Sequence, residues 1–178
     1  MFACVDAAAT AREVVELARQ WGRAVSDVVV RYEGLARAQV TADAAMLRQL
    51  IWNLVRNAVQ ACNAGGEVTV TVRRVFAGQG AGTGGERVEL CVEDDGVGLT
   101  EEAKERIFDA FFTTRAQGTG VGLAVVKRIA DDHGFSIAVE SESGQGASFT
   151  VGLGPLVELP VGTPVVREDR RTLFPHRV

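Results

Sequence analysis

The stretch LRQLIWNLVRNAVQA, Leu47 to Ala61, decides how this chain folds. Its apolar residues return at steps of three and four. With Met46 in front, Leu47, Leu50, Leu54, Ala58 and Ala61 fall on one side of a helix. Asp43 stands where a cap is needed, because its carboxylate can accept from the free N–H groups of a first turn. Gly65-Gly66 supplies the stop, so the spacing predicts a helix over 43–63. Asn53 and Asn57, four apart, share a face, and Gln49 and Gln60 extend that polar line beside the apolar seam. Burying such an amide without a partner costs about 1–3 kcal/mol. These amides therefore meet either neighbouring loops or a ligand.

Outward from this helix the patterns alternate between helix and strand. Upstream, residues 7–22 read as an amphipathic helix with Val14, Val15, Leu17, Ala18 and Trp21 on one side and Gly22 as its stop. Val28 to Tyr32 is strand-like, Glu33-Gly34 reads as a turn, and Ala38 to Val40 offers a return strand. Downstream, Glu67 to Phe76 and Glu86 to Glu93 alternate as strands. The AGQGAGTGG segment between them, 77–85, has no lysine and no following helix, so it reads as a flexible hairpin loop and not a phosphate cradle. Thr100-Glu101-Glu102 opens a short helix to Phe108, residues 109–119 are irregular, and a helix over 120–133 ends at Gly134. Two strands, 135–140 and 147–153, close the domain. The expected organisation is a domain over 1–154 and an extended, proline-bearing tail over 155–178. The expected fold is α+β: a two-layer sandwich whose mixed, mostly antiparallel sheet carries helices on one face.

Composition narrows the function classes. The chain has 178 residues, 47% hydrophobic and 24% charged, and its net charge of −4 argues against a nucleic-acid surface. No apolar run reaches the roughly 18 residues of a membrane span, so no membrane contact by this chain is expected. The first residues lack the pattern of a signal peptide. Three cysteines, Cys4, Cys62 and Cys91, show no C-x-x-C spacing, which suggests buried reduced thiols in a cytoplasmic protein.

Four elements could carry chemistry. The amide face of Asn53 and Asn57 is the first. Asp94-Asp95-Gly96-Val97-Gly98-Leu99 follows a strand directly, and places a carboxylate beside two glycines that let the backbone approach a ligand closely. Gly118-Thr119-Gly120-Val121-Gly122-Leu123 leads into a helix whose free N–H groups and dipole favour phosphate. Between them, Ile107-Phe108-Asp109-Ala110-Phe111-Phe112-Thr113-Thr114-Arg115 joins three aromatics to hydroxyls and a cation, as a lid would. No G-x-x-x-x-G-K-[ST] occurs, which removes the usual P-loop enzymes.

In this order and spacing the four elements resemble the asparagine, first glycine, phenylalanine and second glycine boxes of the histidine-kinase branch of the GHKL (Bergerat) ATPase superfamily. The likeness runs from Val5 to Leu153, and the FFTTR form looks most like kinases of the nitrogen-regulatory sensor type. The resemblance implies a Bergerat ATP-binding fold, with ATP and Mg²⁺ as ligand and cofactor. Asn57 would coordinate the metal, with Asn53 close by, and Asp94 would accept from the adenine amine while Gly96 and Gly98 shape the loop. Gly118, Gly120 and Gly122 would bring amides to the phosphates, with Thr114, Thr119, Val121 and Leu123 among the contacts. Arg115 would meet the γ-phosphate, and Ser148 resembles a hydroxyl that supports the adenine-binding carboxylate through water. Many relatives carry a lysine where this chain has Gln60, so no charge contact is expected from this helix and the weight falls on Arg115.

The resemblance also separates kinase from hydrolase. Relatives that hydrolyse ATP place a glutamate four residues before the metal-binding asparagine; here that residue is Asn53, and an amide cannot take a proton near neutral pH. The acceptor histidine is missing. Only His133 and His176 occur, neither in the H-[ED]-x-x-x-P context of the family, and His133 is expected to place positive charge at a helix C-terminus. The implied partners are a helical dimerisation and phosphoacceptor domain of a parent kinase, and a response regulator downstream. Two alternatives remain at this point: a non-catalytic ATP-sensing or docking module, and a serine kinase of the anti-sigma type.

Overall fold

The computed structural model describes residues 1–76, 85–113 and 118–157. The 77–85 loop (apart from Gly85), Thr114, Arg115, and the tail from residue 158, with His176, lie outside the described residues. In chain order the elements are β1 (Ala3–Asp6), α1 (Ala7–Ser26), β2 (Val29–Gly34), β3 (Gln39–Ala42), α2 (Ala44–Ala61), β4 (Glu67–Phe76), β5 (Glu86–Asp94), α3 (Glu101–Arg106), α4 (Gly122–His133), β6 (Ser136–Ser141) and β7 (Ala147–Pro155).

The expected two-layer sandwich is present. Five strands lie in the order β2-β4-β5-β7-β6, antiparallel except for β2 beside β4. In β4 the period-two pattern sends Val68, Val70 and Val72 into the core, with Val70 opposite Val92 and Val72 opposite Leu90 of β5, where Val88 is buried too. Phe149, Val151 and Leu153 of β7 continue the same inner face. Helices α1, α2 and α4 pack on that face, and their buried residues join the sheet's in one cluster. Each large apolar side chain so buried contributes on the order of 1.5–3 kcal/mol.

Helix α2 forms as its sequence dictates. Asp43 Oδ1 accepts from the N–H groups of Ala45 and Met46 at 3.0 and 3.1 Å, and Leu47, Leu50, Leu54 and Ala58 are buried. Met46 is exposed and outside the stripe. In α1 the buried line is Ala7, Ala8, Ala11, Val14, Val15 and Ala18, with Leu17 facing out. Gly22 does not stop α1. A Cβ there would sit 3.1 Å from the Val28 carbonyl, so the glycine lets the helix lie close to the following strand. The helix ends at Asp27, whose left-handed conformation (φ 54°) aims its N–H at the Gly22 carbonyl.

The expected hairpin between residues 28–32 and 38–40 is not formed. β2 pairs in parallel with β4, reached through the crossover helix α2, whereas β3 pairs antiparallel with β1 in a separate two-stranded ribbon. At the far end, β7 runs through Pro155, and the N–H groups of Leu156 and Val157 bond the carbonyls of Glu86 and Gln39. Of the cysteines, Cys91 is buried, Cys62 half-buried and Cys4 exposed, so the expectation of three buried thiols fails at Cys4. No helix among the described residues is long and apolar enough to cross a membrane.

Candidate functional site

An open cleft lies between α2 and the segment that leads into α4. From α2 it is lined by Asn53, Arg56, Asn57 and Gln60; from the lid segment by Ile107, Phe112 and Thr113; and from the second glycine segment by Gly118, Thr119, Gly120, Gly122 and Leu123. Three of the four sequence elements thus converge on one space. Asn53 is only 8% exposed, so its amide is committed to the interior beside this cleft.

The fourth element, Asp94 to Leu99, flanks the cleft and enters its lining only through Leu99. Asp94 ends β5, is 8% exposed, and its Oδ1 accepts from the Gly96 N–H at 3.0 Å. The Val97 N–H donates to the Ala61 carbonyl at 3.1 Å, which ties this loop to the C-terminal end of α2. Gly98 has φ 65°, and a Cβ on it would lie 2.0 Å from the Glu142 carbonyl oxygen. Only a residue without a side chain fits there. Nearby, burial first and then the charges of Asp94 and Asp95 push the Cys62 thiol up to about 12, which keeps it protonated.

The second glycine segment is similarly constrained. Gly120 has φ 65°, which excludes it from the helix expected to begin there, and α4 starts at Gly122. A Cβ on Gly120 would lie 2.4 Å from the Phe111 carbonyl carbon, and the Phe111 N–H donates to the Gly120 carbonyl at 2.9 Å. Phe111 itself holds φ 68° with its ring 79% exposed, a strained setting for an aromatic. Phe112 turns inward, its ring beneath the Arg106 guanidinium at 4.6 Å. Val121 caps α4 in helical conformation with no side-chain bond to the first turn, so the helix start keeps its N–H groups without a side-chain cap.

Three expectations about side chains need correction. Ser148 does not face Asp94. The register sets Ala147 opposite Asp94, and Ser148, one residue on, points to the other face of the sheet, where its Oγ lies 3.2 Å from Cys91 Sγ. α2 does offer a charge to the cleft, from Arg56 and not from position 60. His133 sits at the C-terminus of α4, but as an acceptor. Its Nε2 takes the Asp43 N–H at 3.1 Å, and its Nδ1 is 2.8 Å from the Ile129 carbonyl. The sequence reading also missed Ser141. Its Oγ accepts from the Leu99 N–H at 2.9 Å and donates to the Gly146 carbonyl at 2.6 Å, bracing the aspartate loop against the β6–β7 turn.

Residues 42–157 match the family described as "Histidine kinase-, DNA gyrase B-, and HSP90-like ATPase". The chain belongs to this family. Among curated relatives, it is 42% identical over 128 residues to the sensor histidine kinase ZraS of Klebsiella oxytoca, covering 72% of this chain and 26% of that protein. It is 46% identical over 109 residues to the sensor histidine kinase AruS of Pseudomonas aeruginosa, covering 58% of this chain and 10% of that protein. The chain therefore spans about a quarter or less of the length of these relatives. Among solved structures, the catalytic domain of the histidine kinase ThkA superposes with a TM-score of 0.73 at 29% identity, covering 87% of this chain and 96% of that one. Full-length ShkA, solved in complex with AMPPNP, gives 0.70 at 30% identity, covering 90% of this chain and 32% of that one. Over most of its length the chain is thus similar to the catalytic domain of a histidine kinase.

Proposed function

We propose that this domain binds Mg-ATP and transfers the γ-phosphoryl group to a histidine on the helical dimerisation domain of a parent sensor kinase in the cytoplasm, for onward passage to a response regulator. The observation that carries this reading is the convergence of Asn53, Asn57 and the Gly118–Leu123 segment on one cleft, beside a loop that begins at the buried carboxylate of Asp94. A base amine at Asp94 would leave the sugar and phosphates to run along α2 toward the start of α4.

The donor set fits a metal that arrives with its nucleotide. Among the described residues no group of three or more His, Cys, Asp or Glu could hold a metal, and α2 offers amide oxygens to the cleft. Mg²⁺ is commonly held by few protein oxygens together with phosphates and water. Asn57 would hold it, and the ion would neutralise charge on the phosphates. The chain's own residues orient the nucleotide: Asp94 fixes the base, and the uncapped start of α4 meets phosphate oxygens. In the transfer, the bond from the γ-phosphorus to the β–γ bridging oxygen breaks, ADP leaves, and a phosphorus–nitrogen bond forms at the acceptor imidazole, which gives up its proton. Asn53 stands where hydrolysing relatives place their general base, so water activation is slow and the phosphoryl group waits for its acceptor.

The test mixes this chain with a separately prepared acceptor-helix domain and γ-labelled ATP. Acid-labile, base-stable label on that partner supports the reading. Tight ATP binding without transfer to any cognate acceptor would replace it with a docking module.

A further inference from the structure

Arg56 is the one cation in the cleft lining among the described residues, and no carboxylate lines that cleft. No hydrogen bond or ion pair to a described residue holds its guanidinium. By contrast, Arg19, Arg31, Arg48, Arg73 and Arg74 pair with glutamates at the surface. Arg56 points at the start of α4: a Cβ built on Gly122 would lie 3.1 Å from its Nη2. The helix start carries roughly half a positive charge and has no side-chain cap. Two positive groups therefore face each other with no carboxylate of the described residues in the cleft lining, which favours an anion in that space and disfavours a neutral ligand.

Position along α2 says which part of a nucleotide that anion is. Ala61 touches the aspartate loop through the Val97 N–H, so the C-terminal end of α2 marks the base end. Arg56 lies five residues back, about 7.5 Å along the axis, on the side of Asn53 and Gly122. A base held at Asp94 puts its phosphates, not its ring, at that distance.

We infer that Arg56 is the basic ligand of the nucleotide's phosphate chain, gripping it together with the start of α4. The inference rests on the nucleotide reading above. It differs from that reading in placing a fixed charge on α2, where the pattern of the sequence offered only amides.

The experiment compares the wild-type chain with Arg56→Ala, Arg56→Gln and Arg56→Lys, after thermal melts establish that each is folded. ATP binding is measured by calorimetry with Mg²⁺, and adenosine binding by NMR titration. A charge-assisted bond to phosphate is worth enough that the Ala and Gln variants should lose about tenfold or more in ATP affinity. Their adenosine affinity should stay within twofold of wild type, and Arg56→Lys should recover most of the ATP binding. The salt dependence of ATP binding should also become shallower when the charge is removed. Equal losses for ATP and adenosine, or no loss for either, would overturn the assignment of Arg56 while leaving the nucleotide reading in place. A wild-type chain that binds neither ligand would overturn both.

Discussion

Gly98 gives the sharpest quantitative handle on the site. Its φ of 65° is nearly that of Gly134, the C-cap of α4, at 67°. The two differ in what a side chain would meet. A Cβ at Gly134 has nothing within 4 Å, whereas one at Gly98 lies 2.0 Å from the Glu142 carbonyl oxygen and 3.1 Å from that of Gly146. Gly134→Ala should therefore show only the backbone cost of a left-handed alanine, about 1 kcal/mol. Gly98→Ala adds a clash that must push the aspartate loop off the β6–β7 turn. Two bonds cross that seam, the Gly144 N–H to the Val97 carbonyl at 2.8 Å and the Leu99 N–H to Ser141 Oγ at 2.9 Å. Losing both adds on the order of 1 kcal/mol each, for a total of about 3 kcal/mol. Urea unfolding of both variants reads the difference directly, and calorimetry with ATP reads its effect on the site. Gly98→Ala should be the less stable by about 2 kcal/mol and should bind ATP markedly more weakly, while Gly134→Ala binds as wild type. Equal stability of the two variants would refute the reasoning, because the close approach of the loop and turn would then carry no weight.

Other perturbations address separate parts of the molecule. Asp94→Asn keeps the acceptor for the Gly96 N–H but changes the group offered to a base amine; ATP affinity measured by calorimetry should fall, and an unchanged value would count against the adenine assignment. Because its thiol is held up to about 12, Cys62 should resist iodoacetamide at mildly alkaline pH while exposed Cys4 reacts, as peptide mass mapping over a time course would show. His133→Ala removes the acceptor of the Asp43 N–H and should cost about 1–2 kcal/mol in a urea melt. In Phe149→Ala the core loses a large buried ring, and the same melt should register roughly 3–5 kcal/mol.

Where local periodicity decides an element, the sequence was enough. The α2 stripe, its Asp43 cap and the alternation of β4 were all readable, because a helix or strand must present one face to the core whatever its neighbours are. Pairing was not readable. Nothing in residues 29–34 announces a parallel partner 38 positions away, since that choice depends on how α2 returns the chain. Ser148 shows the limit of a role carried over by resemblance: side chains alternate along a strand, and the pairing that sets Ala147 opposite Asp94 turns the Ser148 hydroxyl to the other face. Arg56 escaped notice for a different reason. A cation on the polar side of an amphipathic helix looks like ordinary solvated surface until the fold places a helix start against it. His133 was placed correctly on α4, but its role as an acceptor depends on Asp43, 90 positions earlier.

That same bond makes α4 a lever. Its C-terminal end is pinned, with His133 bonded to the backbone of Asp43 and its ring against Phe135 and Phe2. The other end carries the uncapped turn that faces Arg56. An arm of 12 residues is about 18 Å long, so drawing its tip inward by about 1 Å tilts it by only about 3°. The fulcrum is the cap of α2, beside the amino terminus of the chain, where the Met1 amine pairs with the Asp43 carboxylate. Drawing that tip inward would thus be felt as torque at the Asp43 cap of α2, and in the core through Val126, Ile129 and Ala130.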